Sequence, residues 1–81
     1  MKKMTNEQKI GYLLQKYRED NNYSQQYVAD KLNKHKSTIS LWESGKRSIN
    51  MSDFIELIET MEYDKKSISK DISAIIFGKN D

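Results

Sequence analysis

The chain has 81 residues, with 14 Lys and Arg against 12 Asp and Glu, a formal net charge of +2, one histidine, and neither cysteine nor proline. That length suits one domain over residues 1–81 with a modest core. The composition excludes a disulfide scaffold, a thiolate metal site and the usual zinc clusters, so no metal and no cofactor is expected. No apolar run approaches the ~20 residues that span a bilayer. Met1, Lys2 and Lys3 are followed by polar residues, so no signal peptide is expected and the reading is a soluble protein of the reducing cytoplasm.

In chain order, Thr5, Asn6, Glu7 and Gln8 form a capping-box signature that opens a first helix, with Ile10, Leu13, Leu14 and Tyr17 on its buried face. Asn21 and Asn22 end it. Ser24 caps a second helix carrying Val28, Ala29 and Leu32 on one stripe. Asn33, which tolerates a left-handed backbone, closes it. A third helix runs from about Lys36 to Ser44 with Ile39 and Trp42 inward and stops at Gly45. Trp42 at helical spacing reads as core, not as a base-stacking platform. Asn50 caps a fourth helix whose apolar stripe is Met51, Phe54, Ile55, Ile58 and Met61, broadened by Leu57. Beyond it, Ile68, Ile72, Ile75 and Ile76 share a face if Ser67 to Phe77 is helical, although Ile75, Ile76 and Phe77 before Gly78 also suit a short strand. The helical reading is preferred because its spacing persists over more than two turns. The prediction is all-α, with a core over about 6–63 and a C-terminal helix over about 65–77 as a candidate dimerisation element.

Charge is polarised along the chain. Lys34 to Arg47 holds four Lys or Arg and one acid, whereas Asp53 to Asp64 holds five acids and no base. Such a map suits one face on phosphate and another turned away from it. The two short amphipathic helices, joined by a tight turn with the small Ala29 at their crossing, have the spacing of a helix-turn-helix and make double-stranded DNA the leading partner.

From about Ile10 to Tyr63 the pattern resembles the Cro and phage-repressor type of helix-turn-helix, the XRE family. The matching residues are Arg18, Ser24-Gln25, Val28-Ala29, Leu32, Ser37-Thr38-Ile39-Ser40, Trp42-Glu43 and Ser44-Gly45-Lys46. The chain departs from the family with Asn33 where Gly is usual, His35 where Ser or Thr is common, and no proline after the Gly45 loop. The resemblance implies a compact five-helix, lambda-repressor-like DNA-binding domain. It places Lys36, Ser37, Ser40 and Leu41 where the family reads bases in the major groove. Lys36 has donors for guanine, and Leu41 could meet a thymine methyl. Gln25 matches a family residue that bonds phosphate at the start of the second helix, and Gln26 lies beside it. Lys34, His35, Ser44, Lys46 and Arg47 flank the reading helix as further candidates for the DNA backbone. Arg18 and Glu43 occupy positions that the family often joins by an ion pair. Ile68, Ile72, Ile75, Ile76 and Phe77 are the dimerisation candidates; the alternative use of their stripe is to close the monomer core against the first and fourth helices.

Two function classes follow. The first is a sequence-specific transcriptional regulator, a homodimeric repressor on a palindromic operator, of which a restriction–modification controller protein is a variant. The second is an antitoxin or adaptor that holds a partner through the Ile72–Phe77 stripe. A Lys-, Ile- and Asn-rich composition suggests a bacterial or phage origin, and bound protein would then sit on the nucleoid. An enzyme is not expected, because no phosphate-cradling glycine loop, Ser/His/Asp set or apolar acid pair is present. No small-molecule ligand is evident.

Overall fold

Four of the five helices begin at a side chain that accepts a first-turn N–H, which is why they start where they do. A computed structural model describes residues 3–78. Its elements are α1 (Asn6–Asp20), α2 (Gln25–Leu32), α3 (Lys36–Ser44), α4 (Met51–Met61) and α5 (Lys65–Phe77). The capping box of α1 is closed both ways: the Gln8 N–H donates to Thr5 Oγ1 at 3.0 Å and the Thr5 N–H to Gln8 Oε1 at 2.9 Å. Ser24 Oγ accepts from the Tyr27 N–H at 3.0 Å, and Asn50 Oδ1 from the Asp53 N–H at 2.7 Å. Asp64 opens α5, accepting from the Ser67 hydroxyl at 2.9 Å and the Lys66 N–H at 3.1 Å. Those bonds, the Ser67 hydroxyl first, hold its carboxyl below the usual range. His35 precedes α3 without a side-chain cap bond. Ile75, Ile76 and Phe77 continue α5 as helix, not as a strand.

The core gathers α1, α2 and α3 around Leu14, Val28, Leu32, Ile39 and Trp42, all buried. Two small residues set how closely the helices cross. Ala29 is 0 % exposed, its small side chain enclosed where α2 packs on its neighbours. Gly11 lies against the backbone at the end of α3, where an added Cβ would stand on the Trp42 and Glu43 carbonyl oxygens. Helix α1 therefore seats the C-terminal end of α3 backbone to backbone, without an intervening side chain.

The apolar stripe of α4 differs from the sequence expectation. Leu57, placed at its margin, is buried with Met61, while Met51 and Ile55 are 69 % and 48 % exposed. The inward line runs through Phe54, Leu57, Ile58 and Met61; at about 100° per residue, Met51 and Ile55 fall to one side of it. Of the two uses open to the stripe of α5, core closure or dimer contact, Ile68 takes the first. At 3 % exposed it belongs to the monomer core and is not available as a dimer contact. Helix α5 docks on α1 through the Tyr17 hydroxyl, which donates to Asp71 Oδ2 at 2.9 Å, while the Tyr63 ring, in the connection between α4 and α5, lies 5.6 Å from that of Tyr17. Burial first, then the Asp71 bond, pushes the Tyr17 phenol up to about 12.

Gly11→Ala should destabilise the fold by about 1–3 kcal/mol through overpacking against carbonyls that cannot swing aside, measured as a fall in the urea midpoint. Tyr17→Phe should cost about 1–2 kcal/mol. The raised Tyr17 value means that this contribution is complete below the ordinary phenol value of about 10 and lost as pH rises through about 12. The stability gap between wild type and Tyr17→Phe should accordingly stay level from neutrality to pH ~10 and close above it.

Candidate nucleic-acid interface

Three residues, Asn33, Lys34 and His35, separate α2 from α3. Asn33 takes the left-handed conformation at φ 59°. With the chain reversed there, the Asn33 N–H reaches the Asp30 carbonyl at 3.2 Å and the Lys34 N–H reaches that of Ala29 at 2.8 Å. Together these N–H groups occupy the Ala29 and Asp30 carbonyls at the end of α2. Asparagine supplies here what a glycine would, because its short polar side chain tolerates this region of backbone space.

Helix α3 separates cleanly into two faces. Ile39, Trp42 and Glu43 are buried, whereas Lys36, Ser37, Ser40 and Ser44 are exposed. Leu41 is half-buried, less open than the sequence suggested. Nine helical residues rise about 13 Å, and the polar side presents one ammonium and three hydroxyls along that length. This set can donate to guanine or phosphate oxygens and can also accept through the hydroxyls.

The buried carboxylate of Glu43 joins three helices. Arg18 of α1 grips it in a fork, Nε to Oε2 at 2.7 Å and Nη2 to Oε1 at 3.1 Å. The third Arg18 nitrogen, Nη1, donates to the Tyr23 carbonyl at 2.8 Å in the loop before α2. Gln25 of α2 donates its amide to Glu43 Oε1 at 2.9 Å. Side-chain exposure is only 12 % for Arg18 and 5 % for Glu43. The Glu43 bonds raise the Arg18 guanidinium further above its already high value. Gln25 thereby departs from expectation. Its amide was expected to turn outward to phosphate, and it turns inward, because a buried carboxylate oxygen with a free lone pair is a stronger acceptor than water for a donor already half-buried beside it.

The remaining candidates for phosphate contact are placed unequally. Lys36, His35, Lys46 and Arg47 are exposed, and among the described residues the three cations Lys36, Lys46 and Arg47 form no ion pair. The backbone N–H groups of Lys46 and Arg47 both bond the Leu41 carbonyl, at 3.1 and 3.2 Å, which ties the basic loop to the end of α3. Gly45 makes this turn at φ 80°, where an added Cβ would also lie 2.7 Å from Gln8 Cα. Ser44 Oγ donates to the same Leu41 carbonyl at 3.2 Å. Lys34 is drawn to Asp53 in the first turn of α4 at 3.6 Å, and Gln26 donates to Asp30 at 2.8 Å.

On α4 and α5 the surface is apolar. Ile76 and Phe77 are 67 % and 77 % exposed, and Ile72 and Ile75 are half-buried. A groove of about 470 Å³ between the two helices is lined by Phe54, Ile55, Ile58, Ile72, Ile76 and Phe77 among others, with Glu59 and Lys65 also contributing. A smaller recess of about 160 Å³ adjoins it near Ile10, Ile49 and Met51. Among the described residues no His, Cys, Asp or Glu cluster could hold a metal ion, and no helix is long and apolar enough to cross a membrane.

Replacing Glu43 by alanine leaves the largely buried Arg18 guanidinium with only the exposed, more distant Glu19 carboxylate at 3.7 Å as counter-charge. Loss of one partner of a buried pair typically costs about 3–5 kcal/mol. For a domain this small, the Glu43→Ala variant should be largely unfolded at room temperature by circular dichroism. A variant that melts like the wild type would show that the clamp is energetically idle.

A family model described as helix-turn-helix matches residues 14–67, spanning the second half of α1 through the beginning of α5. No curated protein matches the chain. The matched segment contains the turn at Asn33, both faces of α3 and the Arg18–Glu43 clamp described above. The chain belongs to the XRE-type, Cro and phage-repressor class of helix-turn-helix proteins, a family of DNA-binding regulators.

Proposed function

We propose that the protein is a sequence-specific transcriptional regulator that binds a palindromic operator as a homodimer and represses by occupying promoter DNA in the cytoplasm. The observation that carries this reading is α3. Its apolar side is locked by the core and by Glu43, while its polar side is exposed over the whole helix. In this reading Lys36, Ser37, Ser40 and the exposed part of Leu41 meet base edges in the major groove. Lys46 and Arg47 grip phosphate on the far side, with His35 at the entry. The first-turn N–H groups of Gln25 and Gln26 receive a phosphate at the start of α2. Lys34 joins them by exchanging Asp53 for phosphate.

Homodimerisation is supported by the α4–α5 surface. It offers projecting side chains, Ile76 and Phe77, beside a recess floored by Phe54, Ile58 and Ile72. Knob and hole on one patch suit a two-fold contact, in which each copy fills the other. Glu59 and Lys65 at the groove supply opposite charges for the same pairing. The groove also favours a second reading, an antitoxin or adaptor that seats a different protein there.

Selection from a random-sequence duplex pool tests the proposal. The wild type should enrich a palindrome whose half-sites lie about one helical turn, ~34 Å, apart. The double variant Lys36→Ala with Ser37→Ala should bind the enriched duplex at least about tenfold more weakly, since each good base contact contributes about 1–3 kcal/mol. Sequence-indifferent binding would refute the regulator reading. Enrichment of a single half-site by a monomer in light scattering would favour the partner-holding alternative.

A further inference from the structure

We infer that Gln25 is a specificity-positioning residue: it fixes the angle between the start of α2 and the reading helix α3 through Glu43, and its side chain is not a phosphate ligand. The inference rests on the operator reading above and adds a residue to it. Two elements must be held in register for that reading to work. One is the N-terminus of α2, whose leftover N–H groups are the natural phosphate anchor. The other is α3, whose polar face must reach base edges at a set depth and pitch.

The turn from Asn33 to His35 joins these helices at only one end. There the Asn33 and Lys34 N–H bonds hold the C-terminus of α2 beside the start of α3. At the opposite end, the first residue of α2 meets the penultimate residue of α3: the Gln25 amide lies 2.9 Å from Glu43 Oε1. A pair of crossed rods pinned at one end pivots, whereas pins at both ends define the angle. Packing of Val28 and Ala29, both buried, confines the crossing to one class of angle with a scatter of about 15–20°, and the directional Gln25–Glu43 bond selects within that range.

The Glu43 carboxylate is itself immobile, because the Arg18 fork holds both its oxygens. Gln25 therefore bonds to a fixed point of the core. Among the described residues no buried side-chain nitrogen or oxygen lacks a partner, so an outward turn of this amide would remove a bond from a buried carboxylate oxygen. On an incoming duplex, the backbone N–H of Gln25 remains free to meet phosphate while the side chain keeps its inward bond.

The two roles predict different losses. A phosphate donor contributes the same on any sequence, so its removal weakens all duplexes alike. A positioning residue matters only where α3 must fit base edges. Gln25→Leu, which keeps length but lacks the donor, and Gln25→Ala, which adds no bulk beside Arg18, are compared with wild type by fluorescence anisotropy. The probes are the duplex enriched by the wild type from the random pool and a scrambled duplex of equal length. Melting by circular dichroism identifies folded variants, and the alanine variant guards against a folding defect peculiar to leucine. The expected result is about a tenfold loss on the enriched duplex, as for one lost oriented contact, with scrambled-duplex affinity unchanged within about twofold. Gln25→Lys, which keeps an N–H donor within reach of Glu43, should restore the ratio of the two affinities. Equal losses on both duplexes, or no loss on either, would overturn the positioning role while leaving the operator reading intact. A wild type that enriches no sequence would remove the operator reading itself.

Discussion

One buried negative charge organises this molecule. Glu43 near the end of α3 would be strongly disfavoured in a protein interior on its own. It persists because Arg18 presents a planar fork to both its oxygens and Gln25 adds a neutral donor. Such a group is poor evidence for net stability, since desolvation offsets much of the attraction. Its consequence is geometric. Only one arrangement of α1, α2 and α3 places three donors on one carboxylate, so the alternatives available to a small apolar core are penalised. The orientation of the exposed face of α3 follows from this arrangement.

Close approach completes what the charge begins. Helix α3 could not bring Glu43 within reach of Arg18 if a side chain stood between α3 and α1 at Gly11. Gly45, at the next turn of the chain, lies equally close to Gln8 and bends the basic loop back across the start of α1. Both glycines therefore serve the same junction, one through absent volume and the other through its left-handed backbone as well. The capping box of Thr5 and Gln8 then has a second use, because it holds rigid the helix end on which that loop rests.

How far this was legible in the sequence depended on the range of the interaction. Thr5, Ser24, Asn50 and Asn33 act on neighbours within a few residues, and their roles can be read from spacing alone. Ile39 and Trp42 follow from periodicity. Gly11 shows no local signal, since its reason lies on α3, more than thirty residues away. Leu57 outranks Met51 and Ile55 because a broad apolar arc on α4 leaves its inward centre undetermined until neighbouring helices dock. Tyr63 and Ile68 enter the core for the same non-local reason. Glu62 turns the chain out of α4 with φ at 57°, a role that glycine or asparagine would have announced and glutamate does not. At the site, the outward residues of α3 were readable because a helix with one apolar face must turn the other away. The inward turn of Gln25 was not, because a half-buried amide chooses between water and a carboxylate only after that carboxylate is in place.

The distribution of free charge bears on how such a protein could bind DNA at all. Lys34 is occupied by Asp53, and among the described residues the unpaired cations around α3 are Lys36, Lys46 and Arg47. Few phosphate contacts mean little counterion release and weak non-specific affinity for a single copy. Strengthening the site with more charge would raise affinity for every sequence alike and erode discrimination. Joining two copies avoids that cost, because the second reading helix then binds at high effective concentration and the preference of each half-site is multiplied. An apolar patch on α4 and α5, formed of residues the core did not need, is the kind of surface such a pairing requires. On the homodimer proposal, the modest basicity around α3 and the exposed Ile76 and Phe77 would be two parts of one physical solution: weak, selective reading by each copy, made useful by doubling.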